Sequence, residues 1–324
     1  MPTILLSAPY MLPYIDRFKP VFDHFGIELI LPAVHERLSE QEILAFAGQF
    51  DGAICRDDLY TARVLLACSP RLKVISKWGT GIDSIDRQAA TRLGIHIGNT
   101  PNAFTLPVAD TVLGYMLAFA RRHPWMDRAV KAGLWDKQMG RSLSECTLGV
   151  VGVGTIGKAV VRRARAFGMT LLGNDIIEID HVFLKETGIE MTSLEDLLRR
   201  SDFVSLNCDL NPTSHHLMNP LTLALMQPTA VLINTARGPI VDEPALVAAL
   251  QAGQLAGAAL DVYEHEPLPA HSLLLKMDNV LLAPHNANSS PAAWERVHFN
   301  TLKNLLDGLG LPTSGLAAAY RQSV

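Results

Sequence analysis

Two series of short apolar runs divide the chain, and a stretch with helical spacing follows most of these runs. In the first hundred residues the runs are ILLSA, IELIL, DGAICR, LKVISKW and GIHIGN. Ser39 followed by Glu42 fits a capping box, Thr61 is placed to cap the next helix, and Gly26 and Gly94 stand where helices end. Strand–helix alternation of this kind predicts a parallel sheet covered on both faces.

A second series begins after Ser144 and contains the runs TLGVVGV, TLLGND, FVSLN, AVLINT, GAALDV and VLLAP. A long apolar helical pattern from Pro107 and a looser arm between Trp125 and Trp135 separate it from the first series. After Pro291 one more long helical pattern leads into a tail rich in glycine and alanine. The sequence therefore predicts two α/β domains.

Composition limits the classes of function that the chain can have. Its 324 residues, 48% of them hydrophobic, are enough to bury the cores of two domains. A formal charge of -4 gives no basic surface for nucleic acid. The four cysteines are scattered without a CxxC pair, which favours a reducing compartment and no metal site. The first residues do not fit a signal peptide, and no apolar run approaches ~20 residues, so we expect a cytoplasmic protein without membrane contact.

A glycine-rich turn lies in the middle of the chain. Residues 152–157 read GVGTIG and fit GxGxxG, with an apolar run before them and a helical pattern after them. The first glycine permits a tight turn, the second lets a pyrophosphate approach the backbone, and the third allows close packing of helix on strand. Asp175 ends the next apolar run, where a carboxylate would bind the adenosine ribose and repel a 2′-phosphate. These residues predict a site for NAD rather than NADP.

Three further polar patches follow strand-like runs of the same series: NTARGPIVDE, ALDVYEHEP and APHNANSS. They contain Arg237, Glu266 and His285. Ligands of an open α/β sheet bind at the carboxyl ends of its strands, so these patches are expected to meet at one edge. An arginine, a carboxylate and a histidine beside a dinucleotide are what hydride transfer to a 2-oxo acid requires.

With these motifs in this order, the chain resembles the NAD-dependent D-isomer-specific 2-hydroxyacid dehydrogenases, which include phosphoglycerate, glycerate, hydroxypyruvate and D-lactate dehydrogenases. The resemblance runs from the loop KWGTGIDSID at 77–86 to the helical pattern after Pro291. It implies a Rossmann-type coenzyme domain inserted into a flavodoxin-like α/β substrate domain, both with parallel sheets. Residues 1–100 plus 290–324 would form the substrate domain, and residues 101–289 would form the NAD-binding domain.

The resemblance also implies roles for single residues. Arg237 would bind the substrate carboxylate, His285 would act as general acid and base, and Glu266 would orient its imidazole. Asp261 would contact the nicotinamide carboxamide. The implied coenzyme contacts are Gly152, Gly154, Thr155, Ile156, Gly157, Asp175, Asn207, Cys208, Thr235, Ala236, Arg237, Asp261, His285 and Asn288.

The other substrate contacts are expected in the first domain. Arg56 and Lys77 each end an apolar run and resemble the basic residues that phosphoglycerate dehydrogenases direct at the substrate phosphate, so a dianionic, 3-phosphoglycerate-like substrate is one expectation. Departures from the family pattern leave the substrate open: they are Asn207, Asn286, Asn288 and the bulky Trp78. The implied substrate contacts are Arg56, Lys77, Trp78, Gly79, Thr80 and Arg237.

A homodimer is expected through the arm between Trp125 and Trp135. Two other functions stay open on the same fold. One is a formate- or phosphite-type dehydrogenase, although Glu266 argues against the formate branch, which has a glutamine there. The other is a dinucleotide-sensing co-repressor, against which the lack of extended disordered tails argues.

Overall fold

The computed structural model describes residues 1–322 of the chain. The strands are β1 (Thr3–Leu6), β2 (Glu28–Ile30), β3 (Gly52–Cys55), β4 (Val74–Lys77), β5 (His96–Gly98), β6 (Thr147–Val151), β7 (Thr170–Asn174), β8 (Glu190–Met191), β9 (Phe203–Leu206), β10 (Val231–Asn234), β11 (Gly257–Leu260) and β12 (Val280–Leu282). The helices are α1 (Ile15–His24), α2 (Glu40–Leu44), α3 (Ala62–Cys68), α4 (Arg87–Arg92), α5 (Thr105–Arg121), α6 (His123–Lys131), α7 (Thr155–Ala166), α8 (His181–Thr187), α9 (Leu194–Arg200), α10 (Pro220–Leu223), α11 (Glu243–Gln251), α12 (Pro291–Gly308) and α13 (Leu316–Gln322).

The chain divides into two compact units. The terminal unit comprises Met1–Ala103 together with the residues from Ser290 onward, and the central unit comprises Phe104–Ser289. Each unit is built around its own parallel sheet, as the alternation of strands and helices predicts. None of the helices in the described part of the chain is long and apolar enough to span a membrane.

The sheet of the terminal unit has five parallel strands in the order β2-β1-β3-β4-β5. This is the flavodoxin-like order, in which the direction of winding changes between the first and third strands. Helix α12 lies on one face of the sheet, where the Ser76 hydroxyl of β4 donates to the Thr301 carbonyl across 2.7 Å. The carboxyl ends of β1 and β3 therefore flank the switch point, the usual place for a ligand in such a sheet.

The sheet of the central unit has seven parallel strands in the order β12-β11-β10-β9-β6-β7-β8. Counted from β6, the first six strands have the Rossmann order, with the switch point between β6 and β9. The adjacent residues Val150 and Val151 of β6 point to opposite faces of the sheet, and each packs into a different hydrophobic cluster. Both faces of the sheet are thus covered, and the predicted fold class is confirmed.

Local sequence signals are reproduced at most element boundaries. Every apolar run predicted as a strand overlaps one, and Ser39 and Glu42 form the expected capping box. Two elements differ from the prediction. Strand β8 has two residues and no apolar run to reveal it, and the alanine-rich tail contains helix α13, because alanine favours helix.

Candidate active site

The glycine turn joins β6 to α7, and two of its three glycines meet a steric demand of the fold. Gly152 has φ of 89°, and a Cβ there would lie 2.6 Å from the backbone nitrogen of Cys208. A Cβ on Gly157 would lie 2.1 Å from the Gly152 carbonyl oxygen, so this glycine lets α7 pack against the turn. Around Gly154 a Cβ would meet no atom within 4 Å. The backbone at the start of α7 is therefore open to an anion.

Asp175 directly follows β7 and faces this turn. Its Oδ2 accepts a hydrogen bond from the Val153 backbone N–H at 2.6 Å, and its Oδ1 accepts one from the Ile177 N–H at 3.1 Å. A cavity of about 330 Å³ lies beside it and is also lined by Ile177 and Thr192. The predicted carboxylate is thus held at the end of the second strand of the Rossmann sheet, next to space for a ligand.

Two buried polar atoms at the ends of β9 and β10 have no hydrogen-bond partner within residues 1–322. They are Oδ1 of Asn207 and Oγ1 of Thr235. The amide nitrogen of Asn207 is bound by contrast, since it donates to the Ser205 carbonyl at 3.1 Å. Leaving a buried polar atom without a partner costs about 1–3 kcal/mol. These atoms, together with the open turn, fit a polar ligand such as a dinucleotide along this edge of the sheet.

The remaining predicted coenzyme contacts of the central unit lie along the same sheet edge. Thr155 and Ile156 form the first turn of α7, and the backbone N–H of Ala236 donates to Oδ1 of Asn234 at 3.1 Å. Cys208 is half-buried beside Gly152, and burial raises the pKa of its thiol to about 11, so the sulfur stays protonated at neutral pH. Asn288 is half-buried after His285 in the chain.

Arg237 follows β10 on a loop that packs tightly against the next one. The backbone of Gly238 approaches Tyr263 so closely that a Cβ would lie 1.9 Å from the Tyr263 carbonyl oxygen. The Tyr263 hydroxyl is 3.1 Å from the Leu260 carbonyl and 2.8 Å from the Ala283 carbonyl, and so joins the ends of β11 and β12. One tyrosine thus fixes the loop of Glu266 relative to the loops of Arg237 and His285.

Glu266 and His285 form a direct pair in the central unit. Nδ1 of His285 lies 2.8 Å from Oε2 of Glu266, and both side chains are about four-fifths buried. Oε1 of Glu266 accepts a hydrogen bond from the Tyr263 backbone N–H at 3.0 Å. A carboxylate is an acceptor only, so Nδ1 carries a proton in this pair. Nε2 is the second ring nitrogen of the imidazole, and its role in proton exchange with a substrate stays a prediction.

Asp261 holds the backbone that carries His285. Its carbonyl accepts from the His285 N–H at 2.7 Å, while its two carboxylate oxygens accept from the N–H groups of Asn286 at 2.8 Å and Ala287 at 2.9 Å. His285 has φ of 51°, a left-handed conformation that costs energy in a residue with a side chain. Burial raises the pKa of Asp261, and the two backbone hydrogen bonds oppose this effect. The predicted contact of Asp261 with the nicotinamide stays a prediction.

The predicted substrate residues of the terminal unit lie at the ends of β3 and β4. Arg56 and Lys77 are almost fully buried, and each is ion-paired with a carboxylate. Trp78 is 1% exposed, and its ring stacks on Tyr10 with centroids 4.3 Å apart. Gly79 has φ of 134°, and the Thr80 hydroxyl donates to the Thr100 carbonyl at 2.9 Å. The sequence located these residues at strand ends, but it gave no sign that the two cations have acidic partners.

Comparison with known proteins identifies the family. Residues 113–287 match the family model described as D-isomer specific 2-hydroxyacid dehydrogenase, NAD binding domain. The chain belongs to the D-isomer-specific 2-hydroxyacid dehydrogenase family. It is therefore an oxidoreductase family member that acts on CH–OH donors, and the expected cofactor, NAD, is confirmed by the matched NAD-binding domain.

Relatives within this family carry different names. A glyoxylate reductase of Thermofilum pendens is 41% identical over 275 residues, which cover 83% of this chain and 81% of that protein. A D-3-phosphoglycerate dehydrogenase of Methanocaldococcus jannaschii is 39% identical over 259 residues. The aligned residues cover 79% of this chain and 49% of that protein. The crystal structure of an Aquifex aeolicus D-lactate dehydrogenase with NAD and lactic acid aligns at a TM-score of 0.82 and 27% identity, covering 99% of this chain and 97% of that one.

Sequence reasoning missed several residues that shape the site of this dehydrogenase. Gly238 and Tyr263 hold the loops together, and His216 forms a second histidine–carboxylate pair, with its Nε2 2.5 Å from Oε1 of Glu264. Gly238, Tyr263 and Glu264 all lie inside the quoted motifs NTARG and DVYEHEP. Their residue types were therefore visible in the sequence, but the close approach of Gly238 to Tyr263 and the pairing of Glu264 with His216 depend on the fold.

Proposed function

We propose that the chain interconverts a D-2-hydroxy acid and its 2-oxo acid with NAD. The observation that carries this proposal is the Glu266–His285 pair, at the sheet edge that also holds the glycine turn and Asp175. A histidine whose Nδ1 is hydrogen-bonded to a carboxylate suits reversible proton transfer through its other ring nitrogen. The family membership supports the same reaction class.

In the proposed mechanism each polar residue has a separate task. Arg237 binds the substrate carboxylate through its planar guanidinium and thereby orients the carbonyl group. His285 donates the proton from Nε2 to the carbonyl oxygen during reduction, and takes it back during oxidation. Glu266 stabilises the protonated imidazole and keeps its ring in place. When bound, the reduced nicotinamide supplies the hydride that adds to the carbonyl carbon.

We assign the two units different parts of this task. The central unit, with the glycine turn, Asp175 and the unpartnered atoms of Asn207 and Thr235, would bind the coenzyme. The terminal unit would contribute substrate contacts from the ends of β3 and β4, including the turn at Gly79 and Thr80. For the substrate itself we propose a small 2-oxo acid of the size of glyoxylate or hydroxypyruvate.

The reaction can be tested by following NADH absorbance with a panel of 2-oxo acids: glyoxylate, hydroxypyruvate, 3-phosphohydroxypyruvate, pyruvate and phenylpyruvate. We expect turnover with at least one of them. His285→Ala should lower kcat by about 10²- to 10⁴-fold and leave NADH affinity nearly unchanged, since the imidazole acts on the proton. Tight NADH binding without turnover on any member would instead favour a dinucleotide-sensing role.

We also propose that the chain forms a homodimer through the arm between Trp125 and Trp135. Trp125, at the start of the arm, is hydrogen-bonded within the central unit: its indole nitrogen donates to the Asp278 carbonyl at 2.7 Å. At the end of the arm Leu134 and Trp135 are 60% and 83% exposed, and Met139, just beyond the arm, is 93% exposed. A cluster of large apolar side chains exposed to this degree is typical of a surface that another protein covers.

A further inference from the structure

A second histidine–carboxylate pair lies in the central unit, and the proposed mechanism gives it no task. Nε2 of His216 lies 2.5 Å from Oε1 of Glu264, and the two side chains are 39% and 20% exposed. A carboxylate only accepts hydrogen bonds, so Nε2 of His216 carries the proton in this contact. One residue separates Glu264 from Glu266 in the chain. The pair therefore joins His216 to the loop of Glu266.

The backbone of His216 is bound to the loop of Arg237. The His216 N–H donates to the Pro239 carbonyl at 2.8 Å, and the Met218 N–H donates to the next carbonyl of the same loop at 3.0 Å. Pro239 lies two residues after Arg237. His216 thus contacts the Arg237 loop through its backbone and the Glu266 loop through its side chain.

The conformation of His216 is one that its surroundings must maintain. Its φ is 47°, close to the 51° of His285, and such a left-handed conformation costs energy in a residue with a side chain. The side-chain amide of Asn219 donates to the His216 carbonyl at 3.1 Å and helps to hold it. Both histidines that pair with a carboxylate of the Glu266 loop are therefore held in a strained backbone conformation.

Glu264 has an acidic neighbour, which makes its contact with His216 more important. Its backbone N–H donates to Oε2 of Glu243 at 3.4 Å. Burial raises the pKa of the Glu243 carboxyl; the hydrogen bond from Glu264 opposes this effect, and the negative charge of Glu264 adds to it. Without the imidazole, Glu264 would be a largely buried charge that has lost its partner, which is costly. The loop would relax by moving Glu264 towards solvent, and Glu266 with it.

A displaced Glu266 would alter the contact on which the proposed mechanism depends. Oε2 of Glu266 lies 2.8 Å from Nδ1 of His285. A misplacement of about 1 Å, even one caused far from the chemistry, can lower a rate by about 10²-fold. The position of Glu264 therefore affects the imidazole of His285 through a single short loop.

We propose that His216 is a positioning residue for the reaction: through Glu264 it keeps Glu266 in place against His285. His216 itself exchanges no proton with the substrate. This inference rests on the reaction proposed above and deepens it, because it adds to the site a histidine that lies outside the motifs NTARG, DVYEHEP and PH.

Two amide substitutions of His216 test this role. Asparagine tolerates a left-handed backbone, but its side chain is too short to replace Nε2, whereas the longer glutamine can still donate to Glu264. With the 2-oxo acid that the wild type reduces fastest, His216→Asn should lower kcat about tenfold. KM for the acid and Kd for NADH should change less than about threefold, because the backbone bond to the Arg237 loop remains. His216→Gln should keep kcat within about threefold of wild type.

The pH profile distinguishes positioning from a general loss of structure. A less firmly held Glu266 stabilises the protonated imidazole of His285 less, so the alkaline limb of kcat/KM for reduction should move to lower pH in His216→Asn. His216→Gln should restore the wild-type profile. A purely structural role would lower thermal stability and leave the profile where it is, which would overturn the inference.

Glu264→Ala approaches the same contact from its other side. It should lower kcat about as much as His216→Asn does, and the two substitutions together should lower it no further, because both remove one contact. Additive losses would show that the residues act separately and would overturn the inference. Glu264→Ala also supplies the test by itself if His216→Asn does not fold.

His215→Ala is the matched control. His215 is exposed, and its ring stacks on that of His216 with centroids 4.1 Å apart. The substitution removes an imidazole from the same turn and leaves the Glu264 contact in place. We expect kcat within about twofold of wild type and an unchanged pH profile. A tenfold loss here would mean that any change in this turn disturbs the site, which would overturn the specific role of His216.

The outcomes separate this inference from the proposed reaction. Folded His216→Asn or Glu264→Ala protein with wild-type kcat and pH profile would overturn the inference and leave the reaction intact; thermal unfolding checks the fold. Absence of turnover in the wild type with every acid of the panel would overturn the reaction, and the inference with it.

Discussion

The indole nitrogen of Trp78 donates a hydrogen bond to Nδ1 of His298 across 3.0 Å, joining the end of β4 to the middle of α12. Both side chains are buried, at 1% and 3% exposure. As an acceptor at Nδ1, the imidazole is neutral and carries its proton on Nε2. Burial lowers the pKa of His298 to about 4, with a further lowering by Arg17 that Glu295 opposes.

This pair predicts a loss of stability in mild acid. The unfolded chain binds a proton at His298 near pH 6.5, whereas the folded protein resists protonation until about pH 4. The stabilising contribution is therefore complete above pH 6.5 and is lost as the pH falls towards 4, by on the order of 3 kcal/mol. Denaturant unfolding of wild type and His298→Gln between pH 7 and 4.5 measures it, since glutamine can still accept from Trp78. Equal slopes in the two proteins would contradict the assignment.

Asp175 should govern the choice between NADH and NADPH. Asp175→Ala removes the carboxylate that faces the glycine turn, so kcat/KM for NADH should fall by about tenfold, the loss expected for a hydrogen bond to a charged group. The value for NADPH should rise, because the repulsion of its 2′-phosphate is gone. Asp180→Asn is the control: Asp180 caps α8 through the Val182 N–H at 3.0 Å. An unchanged coenzyme preference in Asp175→Ala would remove the assigned role.

Gly238 and Gly114 predict opposite responses to the same substitution. Gly238→Ala places a methyl group 1.9 Å from the Tyr263 carbonyl, so the loops of Arg237 and Glu266 must separate. We expect a loss of about 1–3 kcal/mol in the free energy of unfolding, with a lower kcat. Gly114 lies exposed within α5, where a Cβ meets nothing within 4 Å, so Gly114→Ala should gain about 0.5–1 kcal/mol. Wild-type activity in Gly238→Ala would show that the close approach is dispensable.

The exposed arm predicts an oligomer that two substitutions dissociate. The wild-type protein should sediment at twice the chain mass of 35.3 kDa. Trp135→Ser with Met139→Ser should shift it towards the monomer, since both side chains would leave water on association. Leu221→Ser is the control, because Leu221 is 81% exposed on α10. Sedimentation of the wild type as a monomer would refute the proposal.

The sequence predicts the framework of this protein well because strands and phosphate-binding turns depend on nearby residues. Each apolar run predicted as a strand overlaps one, and Gly152 and Gly157 of GVGTIG meet the steric demands expected of them. Strand β8 was missed because its two residues, Glu190 and Met191, gain strand geometry only from pairing with β7. The cytoplasmic location remains a prediction.

Contacts between residues far apart in the chain could not be predicted. Arg56 and Lys77 have the residue types of an anion site, but their environment depends on Glu36 and Asp57, which the fold brings beside them. Asp261 was singled out as a coenzyme contact, and only the structure shows its three hydrogen bonds to the His285 turn. Residue type indicates what a side chain can do, and its partners decide whether it is available.

The position of α12 in the chain sets an order for folding during synthesis. Strands β1–β5 are complete at Gly98, but the helix that covers one face of their sheet begins only at Pro291. About 200 residues must be added in between, which takes roughly 10–40 s at typical elongation rates. The central unit is a single continuous segment and can fold during that time, whereas the sheet of the terminal unit waits with an apolar face uncovered. A nascent chain of this protein therefore depends on protection from aggregation until α12 leaves the ribosome.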